Sequence, residues 1–147
     1  MRRTFLLVAV ALMVVPVGAF EATAQLVDRR MVHAFLAKDD KGEPATTFSA
    51  DALNIYLIWK SEQLRPGDEI RVIWIAEDIG EAGPEESKIG ERSIPVRRPN
   101  EVGSCFVSRP GDRLWPVGKY RAEVYIGKRA VAVLRFTIQP GANIEGH

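Results

Sequence analysis

The chain has 147 residues, 46% of them hydrophobic, with 20 lysines and arginines against 19 aspartates and glutamates. Such a balance lacks the basic footprint that nucleic-acid-binding domains carry, and it gives no general attraction to anionic membranes. The one cysteine, Cys105, cannot form an internal disulfide, so a hydrophobic core has to hold the fold, and the chain is long enough to build one.

The N-terminal stretch MRRTFLLVAVALMVVPVGAFEATAQ has the three parts of a secretory signal peptide. Arg2 and Arg3 supply the positive end, residues 5–15 an unbroken apolar run, and Ala22, Thr23 and Ala24 a small-residue cleavage site. The apolar run is shorter than the roughly 20 residues a membrane-spanning helix needs. Residues 1–24 are therefore expected to be removed, leaving a mature chain from Gln25 with no membrane span. Loss of Arg2, Arg3 and Glu21 leaves 18 basic and 18 acidic residues.

Downstream the apolar residues recur with period two, and turn residues separate the runs, which is the pattern of short strands. Strands are expected over 27–37, 52–60, 69–79, 88–96, 104–108, 119–126 and 129–139, with a single helical turn near 49–52. Polar or Gly/Pro-rich connections fall at 38–44, 64–68, 80–86 and 109–117, and Gly127-Lys128 joins the last two strands. Alternation assigns faces. Ile70, Val72, Trp74 and Ala76 share one face; so do Tyr120, Ala122, Val124 and Ile126, and so do Ala132, Leu134, Phe136 and Ile138. In the second strand Ile55, Leu57 and Trp59 oppose Tyr56 and Ile58, so both of its faces are apolar. Seven strands within 25–140, spaced by turns, predict an all-β domain, an immunoglobulin-like antiparallel sandwich, with a small closed barrel as the alternative. Residues 141–147 read as a flexible tail.

The segment WPVGKYRAEVYIG, residues 115–127, enters a strand from a long turn. Tyr120 stands where such sandwiches place a tyrosine whose ring joins the core and whose hydroxyl bonds nearby backbone. Trp74 stands where they place a buried tryptophan. With Phe136 these two are the expected structural core. Together with IYLIWK, GDEIRVIWIAED, CFVSRPGDRL and VLRFTI, the segment resembles small secreted bacterial Ig-like domains of uncharacterised function. The resemblance runs from Asp51 to Ile138, and it implies a fold and a compartment but no catalytic residues.

Signals for catalysis are sparse. His33 lies in the first strand and His147 ends the chain. Sequence order leaves a Ser-His-Asp arrangement open, though no nucleophile motif such as GxSxG occurs, and a His33–Cys105 pair is a further formal arrangement. The plainer reading is a satisfied strand histidine at His33 and at Cys105 a buried structural thiol or a thiol paired with another chain. Zinc-binding clusters, calcium loops and phosphate loops are absent from the sequence, so no cofactor and no metal are expected. The glutamates around residues 77–86 read as a solvated acidic loop. Binding is the remaining function. Trp115, Trp59 and Tyr125 are candidate partner-contacting aromatics, Arg109 and Arg113 add charge on the 109–117 turn, and a sheet edge offers a third route. The expectation is a periplasmic or secreted, non-catalytic binding module for an envelope protein or glycan. A carbohydrate- or envelope-polymer-binding domain is the alternative and a small hydrolase the third reading.

Overall fold

The structure is a computed structural model and describes residues 32–141. The leader, the start of the expected first strand and residues 142–147 of the tail lie outside the described residues. Among the described residues eight strands form: β1 (Val32–Ala37), β2 (Thr47–Ser49), β3 (Asn54–Ser61), β4 (Glu69–Asp78), β5 (Ser87–Pro95), β6 (Val102–Ser108), β7 (Gly118–Ile126) and β8 (Arg129–Gln139). A 3-10 turn, Gly80–Ala82, interrupts the β4–β5 connection.

The strands divide into a three-stranded sheet, β1-β3-β6, and a five-stranded sheet, β2-β8-β7-β4-β5. All pairings are antiparallel except β2 with β8, which is parallel. The chain's first run thus serves both sheets, β1 in one and β2 in the other, through the turn at 38–46. Asp39 tightens that turn: its Oδ1 accepts from the backbone N–H groups of Lys41, Gly42 and Glu43 at 3.0–3.3 Å. This strand order, with the opening run shared between two facing sheets, is an immunoglobulin-like sandwich.

The strand omitted from the sequence expectations is β2. It has three residues, one of them buried, and its place depends on β8: Thr137 donates to Thr46 and Ala50 to Gln139. The turn expected at 49–52 is a single one, closed by Ala52 N–H to the Ser49 carbonyl at 3.0 Å.

Inward side chains follow the alternation. Ile70, Val72, Trp74 and Ala76 of β4 are buried against Ile55, Leu57 and Trp59 of β3 in one continuous core. Fully burying side chains of this size is worth about 1.5–3 kcal/mol each, enough to set the register of every strand that contributes one. A chain of aromatic contacts fills the end of the core beneath the β6–β7 connection. Tyr120 stacks on Phe136 at 5.3 Å between ring centroids, Phe136 meets Trp74 and Phe48 edge-on, and Trp115 meets Tyr120 edge-on at 6.3 Å.

Two bulges bend β4. One falls at Trp74/Ile75 against β5 and the other at Ala76/Asp78 against β7. At the second, Gly118 lies against the β4 backbone so closely that a Cβ there would overlap the Asp78 carbonyl oxygen. Glycine is required at that position by space.

Candidate functional site

The 115–127 segment is architectural. The Tyr120 hydroxyl donates to the Pro116 carbonyl at 2.6 Å, and burial pushes its pKa up to about 12. Tyr120, Trp74 and Phe136 are all buried.

Two of the candidate partner-contacting aromatics are corrected by their surroundings. Trp115 is 4% exposed. Its indole N–H donates to the Ala52 carbonyl and its backbone N–H to the Ala50 carbonyl, both at 2.8 Å, so it staples the β6–β7 connection to the β2–β3 connection. Trp59 is 1% exposed. Its register partner on β6 is Gly103, and the indole occupies the space a side chain there would fill. Neither ring is a surface for a partner.

The other candidates stand apart from one another. Arg109 is half-buried and serves the same staple: its backbone N–H donates to Leu53 and its guanidinium to the Asp51 carbonyl at 3.2 Å. Arg113 is exposed in a turn closed by its own N–H to the Pro110 carbonyl. Tyr125 lies across the molecule on the outer face of the five-stranded sheet, under the Arg71 guanidinium at 4.9 Å from its ring centroid. The glutamates expected in a solvated loop are partly engaged on that face. Arg121 pairs with Glu77 at 3.2 Å, with Glu86, and with Glu123 at 3.6 Å, while Arg135 reaches Glu77 at 3.3 Å.

The His33–Cys105 pair does not form. Cys105 faces the core from β6, and its thiol pKa is pushed up to about 11 by burial, against a smaller opposing pull from Arg92. His33 faces solvent from β1, 3.6 Å from Glu62. The whole of β3 lies between their strands, and the two side chains leave opposite faces of the sheet. Among the described residues no group of three or more His, Cys, Asp or Glu side chains is placed to hold a metal ion. Among the same residues no helix is long and apolar enough to cross a membrane.

The surface that stands out is the outer face of the three-stranded sheet. Register puts Phe35 beside Ile58 and Tyr56 beside Phe106. Phe35 is 39% exposed, Phe106 42% and Val102 65%. The Tyr56 and Phe106 rings meet at 5.5 Å, tilted by 48°. Asn54 holds one end of the row, donating to the Tyr56 hydroxyl at 3.4 Å and accepting from Ser108 at 2.9 Å. The Asp39 turn sets Gly42 against the edge of Ile58 and Phe35. A groove of about 490 Å³ runs from this face along β6 to β5, lined among others by Asp40, Tyr56, Arg92, Ser93, Ser104 and Phe106. The doubly apolar pattern of β3 signals half of this face. Phe106 joins it through the β3–β6 register, for which the sequence carries no sign.

No protein-family model matches the chain, and no curated protein does either. Its backbone is similar to part of a β-glucosidase from Listeria innocua, with 10% identity over 77% of this chain and a TM-score of 0.47; the match spans only 16% of that enzyme's length. It is also similar to an immunoglobulin-like protein from Pseudomonas aeruginosa, with 12% identity over 74% of this chain and 90% of that one, at a TM-score of 0.45. A third similarity, to an alkylpurine DNA glycosylase from Pseudomonas fluorescens, has 9% identity over 74% of this chain and 30% of that one, at a TM-score of 0.43.

Proposed function

We propose that the protein is an exported, non-catalytic binding module of the bacterial cell envelope, and that it binds through the outer face of β1-β3-β6. The observation that carries this is the cluster of Phe35, Tyr56, Ile58 and Phe106 on the outside of a sheet whose inside is already packed. Inner positions of β3 are buried to 0–1% exposure, whereas Phe35 and Phe106 remain about two-fifths exposed. Contiguous apolar surface of this kind marks interaction sites, and aromatic anchors dominate the energetics of such contacts. The leader, with its charged end, apolar run and small-residue cleavage site, supports export.

A glycan reading draws on one feature of the same place, the ring pair Tyr56–Phe106 with the Ser93 and Ser104 hydroxyls along the groove. Rings of this type stack on sugars, and hydroxyls orient them.

The test immobilises the protein and the Phe106→Ser and Phe35→Ser variants, exposes each to an envelope extract, and analyses the eluates for protein and glycan. Retention by the parent and loss in both variants supports the reading; equal retention by all three refutes it. N-terminal sequencing of the exported protein tests the compartment, with Gln25 as the expected first residue and an uncleaved cytoplasmic chain as the refuting result.

A further inference from the structure

Resting on that reading of the binding face, we propose that the partner is an extended polypeptide segment that adds to the free edge of β6 as a further strand. Main-chain geometry identifies the edge. At the two ends of the β3–β6 ladder, Arg109 N–H donates to the Leu53 carbonyl at 2.8 Å and Ser61 N–H to the Glu101 carbonyl at 2.9 Å. Bonded and non-bonded pairs alternate in an antiparallel ladder. Counting inward from both ends makes Ile55–Val107, Leu57–Cys105 and Trp59–Gly103 the bonded pairs. The N–H and C=O groups of Val102, Ser104, Phe106 and Ser108 therefore point away from β3. No other strand pairs with them among the described residues.

Sheet edges in monomeric proteins are guarded by shortness, charge, proline, bulges or cover. β5 carries Lys88, Glu91, Arg92 and Pro95, and β2 is only three residues long. At its C-terminal end the edge of β1 is bridged by its own connection, Ala37 with Pro44 and Ala45 N–H to the Leu36 carbonyl at 3.0 Å. β6 reads VGSCFVS, seven residues without a charge or a proline, and its ladder with β3 has no bulge. An unguarded edge beside an exposed aromatic row is the pattern of strand addition, in which main-chain bonds give affinity and alternate side chains give specificity.

The groove defines the occupant's chemistry. β5 and β6 approach where Gly90 meets Val107, and the groove opens beyond that point, between Arg92–Pro95 and Ser104–Phe106. Free donors and acceptors with strand spacing along Ser104 and Phe106 fit an extended chain. An apolar side chain of that chain lies beside Phe106 and Tyr56. Arg92, exposed and lining the groove together with Asp40, forms no ion pair among the described residues, and it offers its guanidinium to an acidic side chain in the added strand.

The probe is a synthetic peptide of about nine residues, a common strand length, alternating valine and threonine with one glutamate. It is compared with the same peptide N-methylated at alternate residues, which keeps the side chains and removes the donors. With 15N-labelled protein, binding of the unmethylated peptide is expected to slow amide hydrogen exchange at Ser104 and Phe106. Methylation is expected to weaken binding about tenfold or more, the worth of one or two net hydrogen bonds. Ser104→Pro deletes an outward N–H that β3 does not use and is expected to abolish binding; Ser104→Lys, which keeps the amide and guards the edge, is expected to weaken it if the proline variant does not fold. Any of these results overturns the proposal: equal affinity for the methylated peptide, unchanged exchange at both amides, no binding of the unmethylated peptide, or protection of both amides by self-association alone. A chitooligosaccharide that shifts Tyr56 and Phe106 while the peptide does not overturns it in favour of a glycan. In the extract experiment, capture lost in Phe106→Ser but kept in Ser104→Pro refutes strand addition and leaves the binding face standing. Capture unaffected by Phe106→Ser refutes the face itself.

Discussion

Replacing Tyr120 by phenylalanine removes one oxygen atom from the core and tests how much one buried bond contributes to holding the β6–β7 connection. The ring keeps its stack on Phe136 and its edge contact with Trp115, so apolar burial is nearly unchanged. What is lost is the 2.6 Å bond to the Pro116 carbonyl, within a residue only 1% exposed. A carbonyl that loses its buried donor costs about 1–3 kcal/mol, and a domain of this size loses roughly 4 °C of Tm per kcal/mol. Tyr120→Phe is therefore expected to lower the urea-unfolding free energy by about 2 kcal/mol with an unchanged m-value, and Tm by about 8 °C. Tyr125→Phe is the control. Its hydroxyl reaches Glu123 at 3.4 Å on the outer face, and its loss is expected to cost under about 0.5 kcal/mol. A double-mutant cycle with Trp115→Phe, which removes the bond to Ala52 from the same connection, is expected to show coupling above about 0.5 kcal/mol, because the two rings touch. A Tyr120→Phe protein within about 0.5 kcal/mol of the parent would refute the bond's role and leave ring packing and the Trp115 and Arg109 bonds to hold the connection.

Gly118→Ala is expected to cost about 3 kcal/mol in urea unfolding, since its Cβ overlaps the Asp78 carbonyl and lies 3.0 Å from the Ile79 Cα, backbone atoms that cannot swing aside; Gly111→Ala, at φ +55° with open space around it, is expected to cost only about 1 kcal/mol. The Cys105 thiol is an acid whose pKa is raised in the fold, from 9.0 to about 11, so its contribution to stability is intact below the unfolded-state pKa and is lost as pH rises toward the folded one. Stability measured from pH 9 to 11 is expected to fall by up to about 3 kcal/mol more in the parent than in Cys105→Val; parallel curves would show the thiol to be accessible. Arg121→Met leaves Glu77, Glu86 and Glu123 facing one another on a half-buried surface, and is expected to cost about 1–2 kcal/mol at low salt and measurably less at about 1 M salt; a salt-independent loss would place the effect in packing instead.

The long strands were legible because each buries one face, and period-two patterning then fixes both extent and facing. β8 spans Arg129–Gln139, the limits its alternation predicts, and β7 and β5 begin one residue earlier than expected. The pattern failed where position depends on a partner distant in sequence. β2 has too few residues to show a period and exists because β8 offers it a parallel edge. Trp115 reads as a turn residue free to meet solvent, yet the Ala50 and Ala52 carbonyls across the end of the sandwich accept both of its N–H groups. Trp59 reads as a large ring on a strand, and its burial depends on the empty space at Gly103. Of the acids at 77–86, Asp78, Glu81, Glu85 and Glu86 are exposed, as the solvated-loop reading expects; what the sequence hides is that Arg121, about 40 residues downstream, draws Glu77 onto the sheet face.

The same logic separates what the sequence reveals of the candidate site from what it hides. Ile55, Leu57 and Trp59 already satisfy the inside of β3, so Tyr56 and Ile58 on the other side are apolar residues the core does not need. A strand covered on one face only has no structural use for them. That surplus is visible in IYLIWK alone. Its location beside an unguarded edge requires the strand order: only when β6 stands next to β3, with nothing paired beyond it among the described residues, do the Tyr56–Phe106 row and the outward amides of Ser104 and Phe106 become neighbours. Surplus apolar surface and unpaired main chain each carry an aggregation cost in an isolated domain. The proposed strand addition accounts for their coincidence at one edge, while β5 across the groove is charged and ends in proline: one added strand would cover both at once.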